Sequence, residues 1–453
     1  MQEKTHMHNK TKFRSLACCA VSLIAYGITG CSVNPQASSA VRSPTSNRTF
    51  TGNLHGGQQP VSGSSIQLYA ASATGYGSAA TPLLTTAVFT DANGNFSVTG
   101  DYTCPANSFV YLTATGGNPG LGPNFTNPNL GLMAALGLCS SLTPATFVHV
   151  NELTTVASVW PLAHFMHGFA GLGTTPGNQA GLIAAFAAVN KVVNLAAGIT
   201  PGPGLPAGAT LPTSEINTLA AILASCINSA GGIAGDGSIC GKLFMATTPV
   251  GGTPPTDTIT AAVNIAQNPG SNIATLFSLV SPISPFQPVL ASAPDNFLIG
   301  INYVGGGLNA PQAIAVDAAG NIWAANSGND SLTELTNNGL ALSPVAGFTG
   351  GGLNTPTALA FDLPGNLWIT NTAGNSVSKF TSTGTPVAGS PYVGGGLSAP
   401  SGVSVDPVGN IWIANSANSS LTELSGTGAA LSPITGFLGA GISTPVSIAI
   451  SPR

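Results

Sequence analysis

Charge is what this chain lacks most: only 5% of its 453 residues are Asp, Glu, Lys or Arg. Beyond Cys31 there are 6 basic and 13 acidic side chains, a balance of 6 − 13 = −7. No Lys/Arg face exists to neutralise phosphates, which excludes nucleic acid as a partner. So few charges would suit a membrane protein, yet no apolar run reaches the roughly 18 residues that a spanning helix needs. No histidine follows His167, so the last part of the chain lacks an imidazole base. No G-x-S-x-G elbow or phosphate loop stands in the right context, and no cofactor is expected.

Small residues are abundant instead, with Gly 58 and Pro 34. At the start, Lys4, Lys10, Lys12 and Arg14 precede an apolar stretch from Ser15 to Ile28, too short for a stable span. Ile28-Thr29-Gly30-Cys31 follows, and resembles a bacterial lipobox. The resemblance implies a signal peptide over 1–30, a diacylglyceryl group on Cys31 and a lipid-anchored protein of the cell envelope. Ser32 is not the aspartate of an inner-membrane retention signal, so the outer membrane or cell surface is expected. The alternative is an ordinary secretory signal in which Cys31 is incidental. Residues 31–48, rich in Ser, Asn and Pro, read as a tether.

From Thr49 the pattern turns to short alternating strands: Phe50 to His55, Pro60 to Tyr69, Thr86 to Val98 and Phe109 to Leu112. Their order, with Pro60-Val-Ser-Gly and Thr90-Asp91-Ala-Asn-Gly94-Asn-Phe96, resembles the carboxypeptidase-regulatory-like β-sandwich. Such domains are generally non-catalytic stalks, and one is expected over 49–118. Residues 125–290 are Ala-rich windows separated by Gly/Pro loops, and read as a small α-helical domain. Ile216, Leu219, Ile222, Leu223, Cys226 and Ile227 fall on one helical face, with Thr213 as a candidate N-cap. Leu182 to Leu195 and Thr258 to Ala266 are further candidate helices.

Four cysteines remain: Cys104, Cys139, Cys226 and Cys240. An even count in an exported chain suggests bridges, with three connectivities possible. Proximity favours Cys104–Cys139, stapling sandwich to helices, and Cys226–Cys240, closing a Gly-rich loop. A metal site is the alternative, and neither pair has Cys-x-x-Cys spacing.

In 297–453 one phrase is written three times and begun again. Pro311 through Asp317 to Trp323 recurs as Pro356–Asp362–Trp368 and Pro400–Asp406–Trp412, and Pro445 opens a fourth copy. Four short strands per repeat of this period predict a β-propeller blade. The wording P-x-x-[IVL]-[AS]-[VF]-D-x-x-G-N-[IL]-W resembles NHL repeats and the related streptogramin-lyase-like propellers. Asn326, Asn371 and Asn415 stand where typical NHL repeats carry Asp, and the frequent N-x-R arginine is missing. Three blades plus one strand, with an outer strand near Phe297 to Val304, imply a ring that is open, completed by another copy or truncated, and open faces would invite self-association.

Each candidate group has a bland reading beside a functional one. Asp317, Asp362 and Asp406 offer one carboxylate per turn, suiting a capped turn better than calcium. Trp323, Trp368 and Trp412 would pack between blades, or stack on sugar rings. Glu334, Lys379 and Glu423 would be solvated rim charges. His164 and His167, with Glu152 nearby, form a weak candidate for a metal site. The chain is therefore expected to be multidomain: β-sandwich, small α-helical domain and partial β-propeller of three blades plus one strand. Its expected role is non-catalytic, an envelope lipoprotein presenting the propeller as a binding or assembly surface for a protein or glycan. The alternatives are a lyase- or lactonase-type propeller enzyme and a carbohydrate-binding surface protein.

Overall fold

The computed structural model describes residues 48–100 and 102–450. Cys31, the expected signal peptide and almost all of the expected tether lie outside the described residues. No described helix is long and apolar enough to cross a membrane.

Nine strands build the first region: β1 (Phe50–Gly56), β2 (Gln59–Pro60), β3 (Ser65–Ala70), β4 (Thr81–Pro82), β5 (Val88–Phe89), β6 (Asn95–Val98), β7 (Phe109–Thr115), β8 (Gly131–Leu138) and β9 (Phe147–Val150). One sheet runs β2-β1-β6, with β9 parallel to β1; the other runs β4-β3-β7-β8, with β5 on β3. Alternation drives it, since Phe50, Leu54, Ile66, Leu68, Phe96 and Val98 all point inward and are buried. Strands β8 and β9 lie where a helical domain is expected. Gly131-Leu-Met-Ala-Ala-Leu-Gly-Leu138 is built of residues that read equally well as a buried helix, and its place beside β7 makes it a strand.

Six helices cover this sandwich: α1 (Glu152–Leu162), α2 (Gln179–Val192), α3 (Thr213–Ile227), α4 (Ile239–Ala246), α5 (Thr258–Gln267) and α6 (Ile273–Phe277). The predicted face of α3 is buried, Ile216 through Ile227. Thr213 is the first helical residue rather than the cap, because Pro212 takes the cap position. Sandwich and helices share one apolar core from Phe50 to Phe297, so the boundary read at 118–125 does not separate two cores.

Helix hydroxyls explain the join. β8 is the edge of its sheet, and its outward amides need acceptors. Gly131 N donates to Thr258 Oγ1 (3.0 Å), Met133 N to Thr155 Oγ1 (3.0 Å) and Ala135 N to Ser158 Oγ (2.9 Å). Two helices thereby do the work of a further strand.

Both disulfides follow sequence proximity. Cys104 and Cys139 lie just before β7 and just after β8, so the bridge staples the sandwich to itself, because β8 belongs to the sheet. Cys226–Cys240 ties the end of α3 to α4 across the Gly-rich loop.

The repeats form three separate antiparallel sheets: β10 (Pro311–Val316), β11 (Ile322–Asn326) and β12 (Ser331–Leu335); β13 (Pro356–Phe361), β14 (Leu367–Asn371) and β15 (Ser376–Phe380); β16 (Pro400–Val405), β17 (Ile411–Asn415) and β18 (Ser420–Leu424). Each has three strands, not four. The fourth segment contributes isolated bridges only, Leu332–Phe348, Val377–Tyr392 and Leu421–Phe437, since Pro344, Pro391 and Pro433 withhold amide donors from it. Residues 445–450 lie beside β16, where Ser401 Oγ donates to Pro445 O (2.7 Å), but form no strand. At 297–304 a single bridge, Asn302–Thr210, replaces the expected outer strand, and Trp160 Nε1 donates to Phe297 O (2.9 Å).

Candidate functional site

The repeated Asp and Trp sit at one place in each blade, joined to each other. Trp323 Nε1 donates to Asp317 Oδ2 (3.2 Å), Trp368 to Asp362 (3.1 Å) and Trp412 to Asp406 (3.1 Å). The D-x-x-G-N turn makes this possible. Asp317 Oδ1 caps the turn by accepting from Ala319 N and Asn321 N, and Gly320 takes a φ of +84° that closes it. Burial alone would raise these carboxyls, but the Asn321 amide and Trp323 indole hold Asp317 below its ordinary value. Asp362 and Asp406 are lowered in the same way, Asp362 with help from the Lys379 charge. Their oxygens are thus engaged by the chain's own donors.

The third-strand charges are not rim residues. Pairing puts Glu334 opposite Trp323, Lys379 opposite Trp368 and Glu423 opposite Trp412. Glu334 and Lys379 are buried. Asn321 Nδ2 donates to Glu334 Oε1 (2.9 Å), and Asn410 does the same for Glu423 (2.9 Å). Burial, then the neighbouring Asp317 charge, pushes the Glu334 carboxyl up. In the middle blade the lysine inverts the chemistry: Lys379 Nζ lies 3.4 Å from Asp362 Oδ2 and 4.6 Å from the Trp368 ring centre. It also donates to Gly426 O of the next blade (2.8 Å).

Asn326, Asn371 and Asn415 are fully buried. Each carboxamide oxygen accepts a backbone N–H at the blade's entrance, and each Nδ2 donates to two hydroxyls, as Asn326 does to Ser331 (3.1 Å) and Thr333 (2.9 Å). Those hydroxyls spend their own protons elsewhere: Thr333 Oγ1 on Gly306 O (2.6 Å), Ser331 Oγ on Asn329 Oδ1 (2.8 Å). Only a donor fits there, so Asn replaces Asp. The acceptor Gly306 belongs to a Gly-Gly-Gly turn (φ +98°, +58°, +85°) repeated at 350–352 and 394–396, a signal in plain sight whose role only the bonds reveal.

Trp323 and Trp368 are sealed between blades, packed against Leu359, Leu367 and Phe380 in one case and Ile411, Ile413 and Leu424 in the other. Trp412 is only half-buried. At the opposite end Ile314 is 71% and Val316 60% exposed, whereas Leu359, the Ile314 equivalent, is 9%.

His164 and His167 do not share a helix face. α1 ends at Leu162 with Pro161 in its last turn, a 3₁₀ turn covers 163–165, and Met166 is extended (φ −109°, ψ 145°). The His164 ring instead meets the edge of Tyr76, 5.1 Å between centres. Glu152 is far from solvent. Both of its carboxyl oxygens accept the Gly57 N–H (2.9 and 3.0 Å), and burial pushes it up to about 8. Among the described residues no group of three His, Cys, Asp or Glu is placed to hold a metal ion. Sequence reasoning passed over His55 and His149, which are 94 residues apart and stack through the β1–β9 pairing; no local motif marks them.

No protein-family model matches the chain, and no curated protein matches it. Solved structures to which it is similar are streptogramin-lyase-like and gluconolactonase-like propeller proteins. With virginiamycin B lyase from Staphylococcus aureus it shares 20% identity over 26% of this chain and 39% of that one (TM-score 0.23). With a streptogramin B lyase the values are 21%, 30% and 44% (TM-score 0.25), and with a gluconolactonase from Xanthomonas campestris 17%, 32% and 68% (TM-score 0.19). The chain thus spans less than half the length of the lyases it is similar to, and what it has in common with these proteins is a β-sheet, propeller-like repeat.

Proposed function

We propose that this is a non-catalytic, lipid-anchored protein of the cell envelope whose NHL-like blades form a binding or assembly surface. The observation that carries the reading is the unequal exposure of equivalent faces. Ile314 and Val316 stand open at 71% and 60%, while the same positions in later blades lie under a tryptophan of the preceding one. An exposed apolar face of this kind marks an interaction site. The Asp–Trp pairs support a structural role for the repeated polar groups, since each carboxylate is engaged within its own blade. The lipobox-like Ile28-Thr-Gly-Cys31 and the two disulfides support export.

Capture from envelope extract, with the mature chain as bait, tests the binding part. Ile314→Asp with Val316→Asp is expected to abolish specific capture, and light scattering of the same pair reads any self-association. Unchanged capture and unchanged mass in the double variant would overturn the reading. Turnover of a lactone or streptogramin substrate would support the enzyme alternative instead. For the anchor, Cys31→Ala is expected to release the protein from the membrane fraction.

A further inference from the structure

We infer that a cleft where β9, α1 and α3 converge is a binding site for a neutral, hydroxyl-rich small molecule, a saccharide unit. The cleft, open on one side, has a volume of about 320 Å³, and His149, Asn151, Thr200, Thr213, Asn217 and Gln287 supply its polar lining beside the apolar Ile199. That volume sits at the lower end of the roughly 300–1,000 Å³ usual for ligand pockets.

The site is built rather than incidental. Asn151 is buried and fixed at both ends, its oxygen accepting Thr154 N (2.9 Å) and its nitrogen donating to Gly198 O (2.9 Å). Gly198, at φ +67°, is where the wall comes closest: a Cβ there would collide with the His149 ring and lie 2.8 Å from the Asn151 amide. Asn217 is only 4% exposed and held by Nδ2 donating to Pro288 O (3.0 Å). Gln287 is likewise set by donating to Ser284 O (3.2 Å).

What remains unspent defines the ligand. The Asn217 and Gln287 amide oxygens are acceptors, and Thr213 Oγ1 keeps its lone pairs after donating to Leu211 O (3.5 Å). Neither ring nitrogen of His149 is hydrogen-bonded within the described residues, and the ring is braced from behind by His55. Burial, then His55, keeps it neutral, so it offers one donor and one acceptor. No lining residue carries a charge at neutral pH. An ionic ligand would find no counter-charge, whereas a hydroxyl, both donor and acceptor, matches this set. The cleft is remote in sequence from the blade tryptophans and independent of the blade surface.

The test is calorimetric titration of the mature chain with chitotriose, cellotriose and maltotriose to about 10 mM, a range that captures weak affinities. Saturable binding of at least one is expected, with glucuronate weaker than glucose. His149→Phe keeps a ring on His55 but removes both nitrogens, and should weaken binding about tenfold, as loss of a hydrogen bond does. Ile199→Trp alters an exposed residue at the mouth and should abolish binding with the melting temperature unchanged. No saturable heat with any of the three sugars, or binding untouched by both variants, would overturn the inference.

Discussion

His55 and His149 lie ring on ring, 5.0 Å between centres and 7° from parallel, on strands that run side by side. Burial lowers both, and His55 adds to the depression that puts His149 at about 4. A folded value below the unfolded 6.5 means that the stability is complete above pH 6.5 and lost as pH falls toward 4. Urea midpoints measured down this range should decline, and His149→Phe should flatten the decline.

Three residues along, Glu152 pulls the opposite way. Burial raises its carboxyl from 4.5 to about 8, so its contribution is complete below pH 4.5 and lost as pH rises through 8. The loss amounts to about 5 kcal/mol when complete, from the conversion of pKa difference to free energy. Glu152→Gln should abolish that loss, making the variant relatively more stable at pH 9 than at pH 5. A wild-type curve level between pH 5 and pH 9 would contradict it.

Asn371→Asp should be among the most damaging single changes in the blades. It replaces a buried donor to Ser376 (3.1 Å) and Ser378 (2.8 Å) with a carboxylate, and the Ser378 hydroxyl, whose proton is already given to Gly351 O (2.7 Å), meets it as an acceptor. A cost of about 3 kcal/mol or more is expected for an uncompensated buried carboxylate. Denaturant unfolding followed by Trp fluorescence measures it.

Lys379→Met should separate charge from packing in the middle blade. It keeps the stem on Trp368 while removing the partner of Asp362 and the bond to Gly426. A loss of about 1–3 kcal/mol is expected, and salt should affect it little because the pair is buried.

Gly351→Ala, at φ +58°, would set a Cβ 2.9 Å from the Phe380 ring, while Gly365→Ala, at φ +87°, would meet nothing within 4 Å. Both carry the left-handed penalty of roughly 1 kcal/mol. The difference in unfolding midpoint between them therefore reads the packing cost alone, with Gly351→Ala the lower.

What was legible in the sequence was whatever repeats locally. The face of α3 follows a 3.6-residue period that only a helix satisfies, and the blade period is written out in Pro, Asp and Trp. Strand β8 was hidden because its small residues suit either structure, and the deciding contacts, from Thr155, Ser158 and Thr258, come from elsewhere in the chain. Glu334 and Lys379 looked like surface charges because residue type says nothing of a cross-strand tryptophan and an Asn in the turn. The contrast between sealed Trp368 and half-open Trp412 is likewise absent from the motif, since it depends on what stands next to each blade.

The Gly-Gly-Gly turns have one more consequence. Each middle glycine carbonyl receives hydroxyls of its own unit, Thr333 and Ser343 for Gly306, Ser378 and Ser390 for Gly351, Thr422 and Ser432 for Gly395. These polar needs are met inside a unit, while apolar packing, with a few bonds such as Lys379 Nζ to Gly426 O and Thr372 Oγ1 to Pro400 O, joins one unit to the next. Such a stack is expected to loosen first at an outer vane, β10–β12 or β16–β18, and last at the middle one.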